Sequence, residues 1–289
     1  MLPISPAGRR YGRWPDNPFN PARGLLALRA DPAVALPPKA TTSQWMGPIR
    51  DQGQEGSCTG QMKAEYRDWM YRKLYQYEKD KTVPVDQFKA SADFAYLTNL
   101  IHDGNLGQDA GSTIHTSFLT LNQQGCALES QEPYSDTDYT TAPTVAQYAE
   151  ALTYKGGPYH YLPSLQDMKS CIASGYAFGF GFLVYSSFES DPDFPNTGFM
   201  PMPAPVEGIL GGHAQISLDF DDTIVDPAGT WPTPGAFLIQ NSWGDQWGIS
   251  APGRTDRGCY WMPYSFFTKV DPTYGACVSD AWICHLGKW

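Results

Sequence analysis

Helical periodicity dominates the chain as far as residue 174, and strand periodicity takes over after 176. That order excludes an alternating parallel sheet and predicts an α+β fold. Met62, Tyr66, Trp69, Met70, Leu74 and Tyr77 recur at helical spacing with Lys63, Arg67, Asp68 and Lys73 between them, an amphipathic helix opening at Cys58. Residues 90–101, 112–124 and 165–174 read as further helices, the last two ended by Gly125 and Gly175. In the second half, 176–185 is aromatic with small residues interleaved. From His213 to Phe220 the chain alternates cleanly, placing Ala214, Ile216, Leu218 and Phe220 on one face and His213, Gln215, Ser217 and Asp219 on the other. Residues 236–241 and 259–262 complete the predicted strands.

The first 44 residues differ in texture. Prolines at 3, 6, 15, 18, 21, 32, 37 and 38 forbid a continuous helix and predict an extended arm. Residues 1–36 are read as that arm, a pro-segment or cover, and 37–289 as one domain. Arg9, Arg10 and Arg13 have no apolar stretch of signal-peptide length behind them, and no apolar run is long enough to span a bilayer. The expected location is the cytoplasm, or outside it by a route that leaves no such mark. A net charge of −10 argues against nucleic acid or an anionic membrane as the main partner. Six cysteines at irregular spacing, without a CxxC or a Cys/His pair at zinc distance, point to no metal and to mostly buried free thiols. Only Cys277 and Cys284 lie close enough in sequence to suggest a local bridge. No glycine-rich phosphate loop suggests a cofactor.

Four residues carry chemistry. Cys58 follows Gly56-Ser57 at a predicted helix start, where free backbone N–H groups favour a thiolate. His213 begins the alternating strand after Gly211-Gly212, on a polar face that can reach a cleft. Asn241, at a strand end, can hold one imidazole nitrogen and aim the other, with Trp243 shielding that bond from water. The Gln52 amide, six residues before Cys58, can join the Cys58 N–H in binding an oxyanion.

In the order Gln, Cys, His, Asn, these neighbours resemble the papain family of cysteine peptidases, in its bacterial style. The residues that carry the resemblance are PIRDQGQEGSC (48–58), GGHA (211–214) and QNSWGDQWG (240–248), with fainter echoes at 91–96, Gly111, Pro133-Tyr134, 169–188 and 258–267. The similarity spans roughly 37 to 270. It implies a helical subdomain bearing Cys58 against a β-barrel-like subdomain bearing His213 and Asn241, with polypeptide substrates in the cleft between them. It further implies that Gly111, Leu210, Ala214 and Trp243 lie beside the substrate. Turnover would be thiol-dependent peptide hydrolysis through an acyl-enzyme, by an endopeptidase. A papain-fold aminopeptidase, transpeptidase or amidase is the alternative, and a non-catalytic binding module ranks last.

The chain departs from the family pattern in places. Glu55 stands where a cysteine normally forms a bridge beside the nucleophile, and Thr59 replaces an aromatic. His213 follows Cys58 by 155 residues and Asn241 by 183, longer than the family's usual interval of about 130–150. The extra length is assigned to 189–208 and 220–235 as possible cleft rims. Residues 1–36 are too short and too proline-rich for the family's helical pro-segment, and are expected to lie extended over the cleft and limit access.

Overall fold

The computed structural model describes residues 2–17, 20–75 and 88–285. Three helices form one half: α2 (Cys58–Lys73), α3 (Ala92–His102) and α4 (Ile114–Gln124). Short helices α1 (Pro21–Leu25), α5 (Val145–Ala151) and α6 (Leu165–Ala173) lie elsewhere along the chain, and single-turn helices α7 (Ser187–Ser190), α8 (Phe194–Thr197) and α9 (Tyr264–Phe267) connect the later strands. Caps define the predicted helices: Ser91, Thr113 and Ser164 each accept a backbone N–H at the first turn.

The other half is an antiparallel sheet with seven strands. These are β1 (Lys39–Thr41), β2 (Tyr159–Tyr161), β3 (Phe178–Tyr185), β4 (Ile209–Asp221), β5 (Ala236–Gln240), β6 (Cys259–Pro263) and, after the small hairpin β7 (Val270–Asp271) and β8 (Gly275–Ala276), β9 (Val278–Cys284). The order is β2-β9-β3-β4-β5-β6, and β1 pairs with the end of β4 beyond its pairing with β3. The edge strands β2 and β6 do not pair with each other, so the sheet is open. The barrel-like second half is thereby corrected to a twisted open sheet.

Three further expectations change. The helix at Cys58 is not amphipathic: residues 58–72 are all buried, because α2 runs between the other helices and the sheet. Its polar groups are satisfied inside, Lys63 Nζ donating to Thr98 Oγ1 (2.9 Å) and Thr120 Oγ1 (2.8 Å), and Arg50 pairing with Asp68. Tyr77, the last apolar position of that pattern, lies outside the described residues. On β4, a register shift between Ser217 and Asp219 breaks the alternation. Ala214, Ile216 and Leu218 accordingly pack with the helices, whereas Phe220 joins the second core with Phe178, Phe180 and Phe237. Finally, Cys277 and Cys284 are free and buried like the other four cysteines. The extended β9 lies between them and holds them about 20 Å apart, beyond the reach of a disulfide.

The arm is not uniformly extended either, since it includes α1, whose Pro21 stands at a position where a missing N–H costs nothing. Among the described residues no helix is long and apolar enough to cross a membrane.

Candidate active site

Cys58 is the first residue of α2 and is fully buried. Its thiol hydrogen-bonds with the backbone of Ala214, Gly12 and Thr59. Ala214 follows His213 on β4, so helix and strand bring the two predicted reactive side chains to one crossing. Asn241 follows the last residue of β5, whose partner on β4 is Ile216. That register sets Asn241 beside His213 and Gln215.

The hydrogen bonds fix the imidazole. Asn241 Oδ1 accepts the Ser242 N–H at 2.8 Å, and a backbone N–H can only donate, so the amide oxygen is the atom that faces inward. The same oxygen receives Gln215 Nε2 at 2.6 Å and His213 Nε2 at 3.1 Å. Gln215 is turned that way by the Tyr260 hydroxyl, which donates to its Oε1. His213 Nε2 therefore carries the proton, and Nδ1 keeps a lone pair. Nδ1 is buried with no hydrogen-bond partner. The Trp243 ring stacks on the imidazole with centroids 5.6 Å apart at 26°.

Gln52 sits between these elements. Its Oε1 accepts Ser242 Oγ–H at 2.8 Å, which leaves Nε2 to donate to Glu55 O at 3.0 Å and Arg10 O at 3.4 Å. Glu55, in the family's cysteine position, is buried and accepts the Tyr134 hydroxyl at 3.0 Å; burial pushes its carboxyl up to about 8.

Residues 1–16 occupy the groove. Arg9 lies over the Trp243 ring at 4.1 Å, Tyr11 meets the His213 ring edge-on at 5.5 Å, and Arg13 N–H donates to Gly212 O at 2.9 Å. On the opposite wall the Gly12 carbonyl accepts Ser112 N–H at 2.7 Å, and Trp14 N–H donates to Ser112 O at 2.8 Å. Ion pairing adds Arg10 to Asp109 at 3.3 Å, while Glu189 receives Ser5 Oγ (2.6 Å), Ala7 N (3.2 Å) and the Tyr11 hydroxyl (2.5 Å). With water excluded, burial pushes the Cys58 thiol up to about 11 and the His213 imidazole down to about 3, so both are neutral between those values.

Of the residues expected beside a substrate, Gly111 abuts Gly12, Leu210 lines a cavity next to Arg13, Ala214 presents its backbone to the thiol, and Trp243 covers the imidazole. Of the two suggested rims, 189–208 meets the arm through Glu189. Residues 222–235 leave the far end of β4 instead, where Trp231 Nε1 donates to Met200 O at 2.7 Å. Sequence reading missed Gln215 as a partner of Asn241, although it is two residues from His213 on the same strand face. Tyr260, Ser242, Glu189 and Asp280 were missed as well, and they give no local signal. Among the described residues no group of three or more His, Cys, Asp or Glu could hold a metal ion.

The class that this fold and this crossing of helix and strand define is the papain-like cysteine peptidases. No family model matches the chain. It is similar to xylellain, a cysteine protease from Xylella fastidiosa, at 26% identity and a TM-score of 0.77 over 96% of each chain. The fold is also that of procathepsin B S9 from Trypanosoma congolense, at 15% identity and a TM-score of 0.65 over 96% of this chain and 87% of that one. In sequence it is 27% identical over 242 residues to an uncharacterized peptidase C1-like protein of Acanthamoeba polyphaga mimivirus, covering 81% of this chain and 68% of the relative. On fold and relatives together the chain is a papain-like cysteine-type peptidase, a hydrolase.

Proposed function

We propose that the chain cuts peptide bonds within polypeptides by acyl transfer through Cys58, and that residues 1–36 hold the groove shut until they are displaced. The observation that carries this reading is the tautomer of His213, whose free Nδ1 lone pair adjoins the strand position that touches the Cys58 thiol.

With substrate in the groove, Nδ1 takes the Sγ proton as the sulfur attacks the scissile carbonyl carbon. The carbonyl electrons move to oxygen, where Gln52 Nε2–H and the Cys58 N–H donate; one such donor is worth about 10²–10³ in rate. The imidazolium then protonates the leaving nitrogen, the C–N bond breaks and a thioester remains. Water gives a proton to Nδ1, attacks the thioester and expels the thiolate, which recovers that proton. Asn241 holds the ring throughout.

The arm runs through this groove backwards. His213 must reach the leaving nitrogen, so the leaving group lies on the imidazole and Trp243 side and the acyl part between Gly212 and Gly111–Ser112. A substrate therefore passes from the Ser112 side to the Trp243 side, amino to carboxyl. Residues 9 to 14 take the opposite course, with Arg9 on Trp243 and Trp14 at Ser112. No arm peptide bond then meets the sulfur in cutting polarity. Because arm backbone continues on both sides of Cys58, the groove accepts chain on both sides, which favours internal cleavage over an aminopeptidase.

The test is labelling by a peptidyl vinyl sulfone together with cleavage of a denatured protein, for the wild-type chain and for Gly12→Val. Labelling and internal cleavage that rise in Gly12→Val and vanish with Cys58→Ala are the expected result. A chain that labels at Cys58 yet releases only single amino-terminal residues would replace the endopeptidase reading.

A further inference from the structure

Arg13 does not lie on the groove surface. Its side chain passes between β3 and β4 into a pocket that ends at Asp280 on β9, with Leu183, Leu210 and Val278 along a cavity of about 880 Å³ that continues from it. Gly181 makes the entrance, since a β-carbon there would overlap the Arg13 guanidinium. Asp280 is completely buried. One carboxylate oxygen receives Arg13 Nη2, the Asp16 N–H (3.1 Å) and Ser279 Oγ (3.1 Å), and the other receives Arg23 Nη2.

Of those four donors, only Ser279 belongs to the body of the enzyme. Both cations come from residues 1–36. When the arm leaves, the pocket keeps a buried carboxylate with a hydroxyl as its remaining partner, and an unpaired buried charge is costly unless a cation replaces the lost one. The pocket lies one residue along from Gly12, whose backbone meets Cys58, and on the acyl side of the scissile position.

We propose that Asp280 makes this pocket select a basic side chain, arginine above lysine, in the substrate residue immediately preceding the one that supplies the scissile carbonyl. Arg13 is the internal stand-in for that side chain. The long, narrow entrance at Gly181 suits an extended stem, and the carboxylate suits a planar fork of donors better than a point charge. The proposal deepens the peptidase reading and rests on it for the substrate, but the pocket's preference for a cation can be read without turnover.

The experiment has two arms, both on the full chain. In the first, the rate of Cys58 alkylation by iodoacetamide reports how often residues 1–36 leave the groove. Arg13→Lys should stay within about threefold of wild type, while Arg13→Leu, Arg13→Met and Asp280→Asn should each speed alkylation by about tenfold or more. Arg13→Leu should add little on top of Asp280→Asn. Apolar variants that stay as closed as wild type would overturn the proposal.

In the second arm, Gly12→Val/Arg13→Leu empties groove and pocket, and fluorogenic peptides carrying Arg, Lys, Leu or Glu at the stated position are compared. Arg should exceed Leu and Glu by about tenfold or more in kcat/KM, and Asp280→Asn should erase that ratio. Leu cleaved as well as Arg would overturn the proposal with Asp280 intact, whatever the folding of Asp280→Asn. Alkylation at Cys58 without cleavage of any peptide would defeat the peptidase reading instead, and the first arm would still judge the pocket.

Discussion

Gly12 and Gly111 meet backbone against backbone: a β-carbon on Gly111 would overlap the Gly12 carbonyl, and one on Gly12 would overlap the carbonyl of Gly56. The crossing over Cys58 admits main chain and nothing wider. Gly12→Val should therefore expel the arm and raise both Cys58 alkylation and peptide hydrolysis by about tenfold or more, since overpacking between rigid backbones costs about 1–3 kcal/mol. Gly24→Ala, with open space at its β-carbon, should leave both rates unchanged.

The covering of the groove also sets a pH signature. Burial is the first cause of both shifts, holding the Cys58 thiol at about 11 and the His213 imidazole at about 3. In the closed chain alkylation should climb about tenfold per pH unit toward that thiol value, because only the thiolate reacts. Admitting water reverses both shifts, lowering the thiol and raising the imidazole. Gly12→Val should then show its alkylation inflection at a lower pH, as measured by mass spectrometry after timed exposure. Superposable profiles would contradict this account.

The chain of amides behind the imidazole predicts graded losses. Asn241→Ala removes the acceptor for Nε2–H, and kcat should fall about 10²-fold with little change in KM. Gln215→Leu leaves Asn241 oriented by Ser242 N–H alone, and kcat should fall about tenfold. Tyr260→Phe acts one step further out and should cost less. A positioning role for these residues also shifts the pH–rate profile, which mere loss of stability would not do.

Glu55 gives a stability test. Its carboxyl is raised from an ordinary value of 4.5 to about 8 by burial, so the folded chain holds a proton that the unfolded chain releases. The associated stability is complete below about pH 4.5 and drains away as pH rises toward 8. Glu55→Gln keeps the uncharged shape. It should match wild type near pH 5 and melt higher than wild type near pH 8, by about 2–4 °C per kcal/mol recovered. Equal melting temperatures at both pH values would refute the assignment.

Much of the site was legible because its parts are signalled locally. A Gly-Ser-Cys turn before a helical run, a histidine opening a strand and an asparagine closing another each declare themselves over a few residues. The α2 reading failed on its polarity: Lys63 and Asp68 look solvent-bound in sequence, yet their partners Thr98, Thr120 and Arg50 come from other elements. Strand β9 was passed over since Ser279 and Asp280 interrupt its apolar pattern, and the reason for that interruption is the pocket filled by Arg13. The bulge that turns Phe220 away from Leu218 is likewise set by pairing with β5. Such features arise between distant segments, so no local pattern announces them.

The reversed course of residues 9–14 bears on how a population of these molecules would start up. A segment threaded against the cutting direction is safe from its own sulfur while seated, so removing it takes another molecule or a dissociated excursion followed by capture elsewhere. Release by neighbours is bimolecular. Dilute protein would stay dormant, while concentrated protein would show a lag that shortens in inverse proportion to concentration and then a self-accelerating burst.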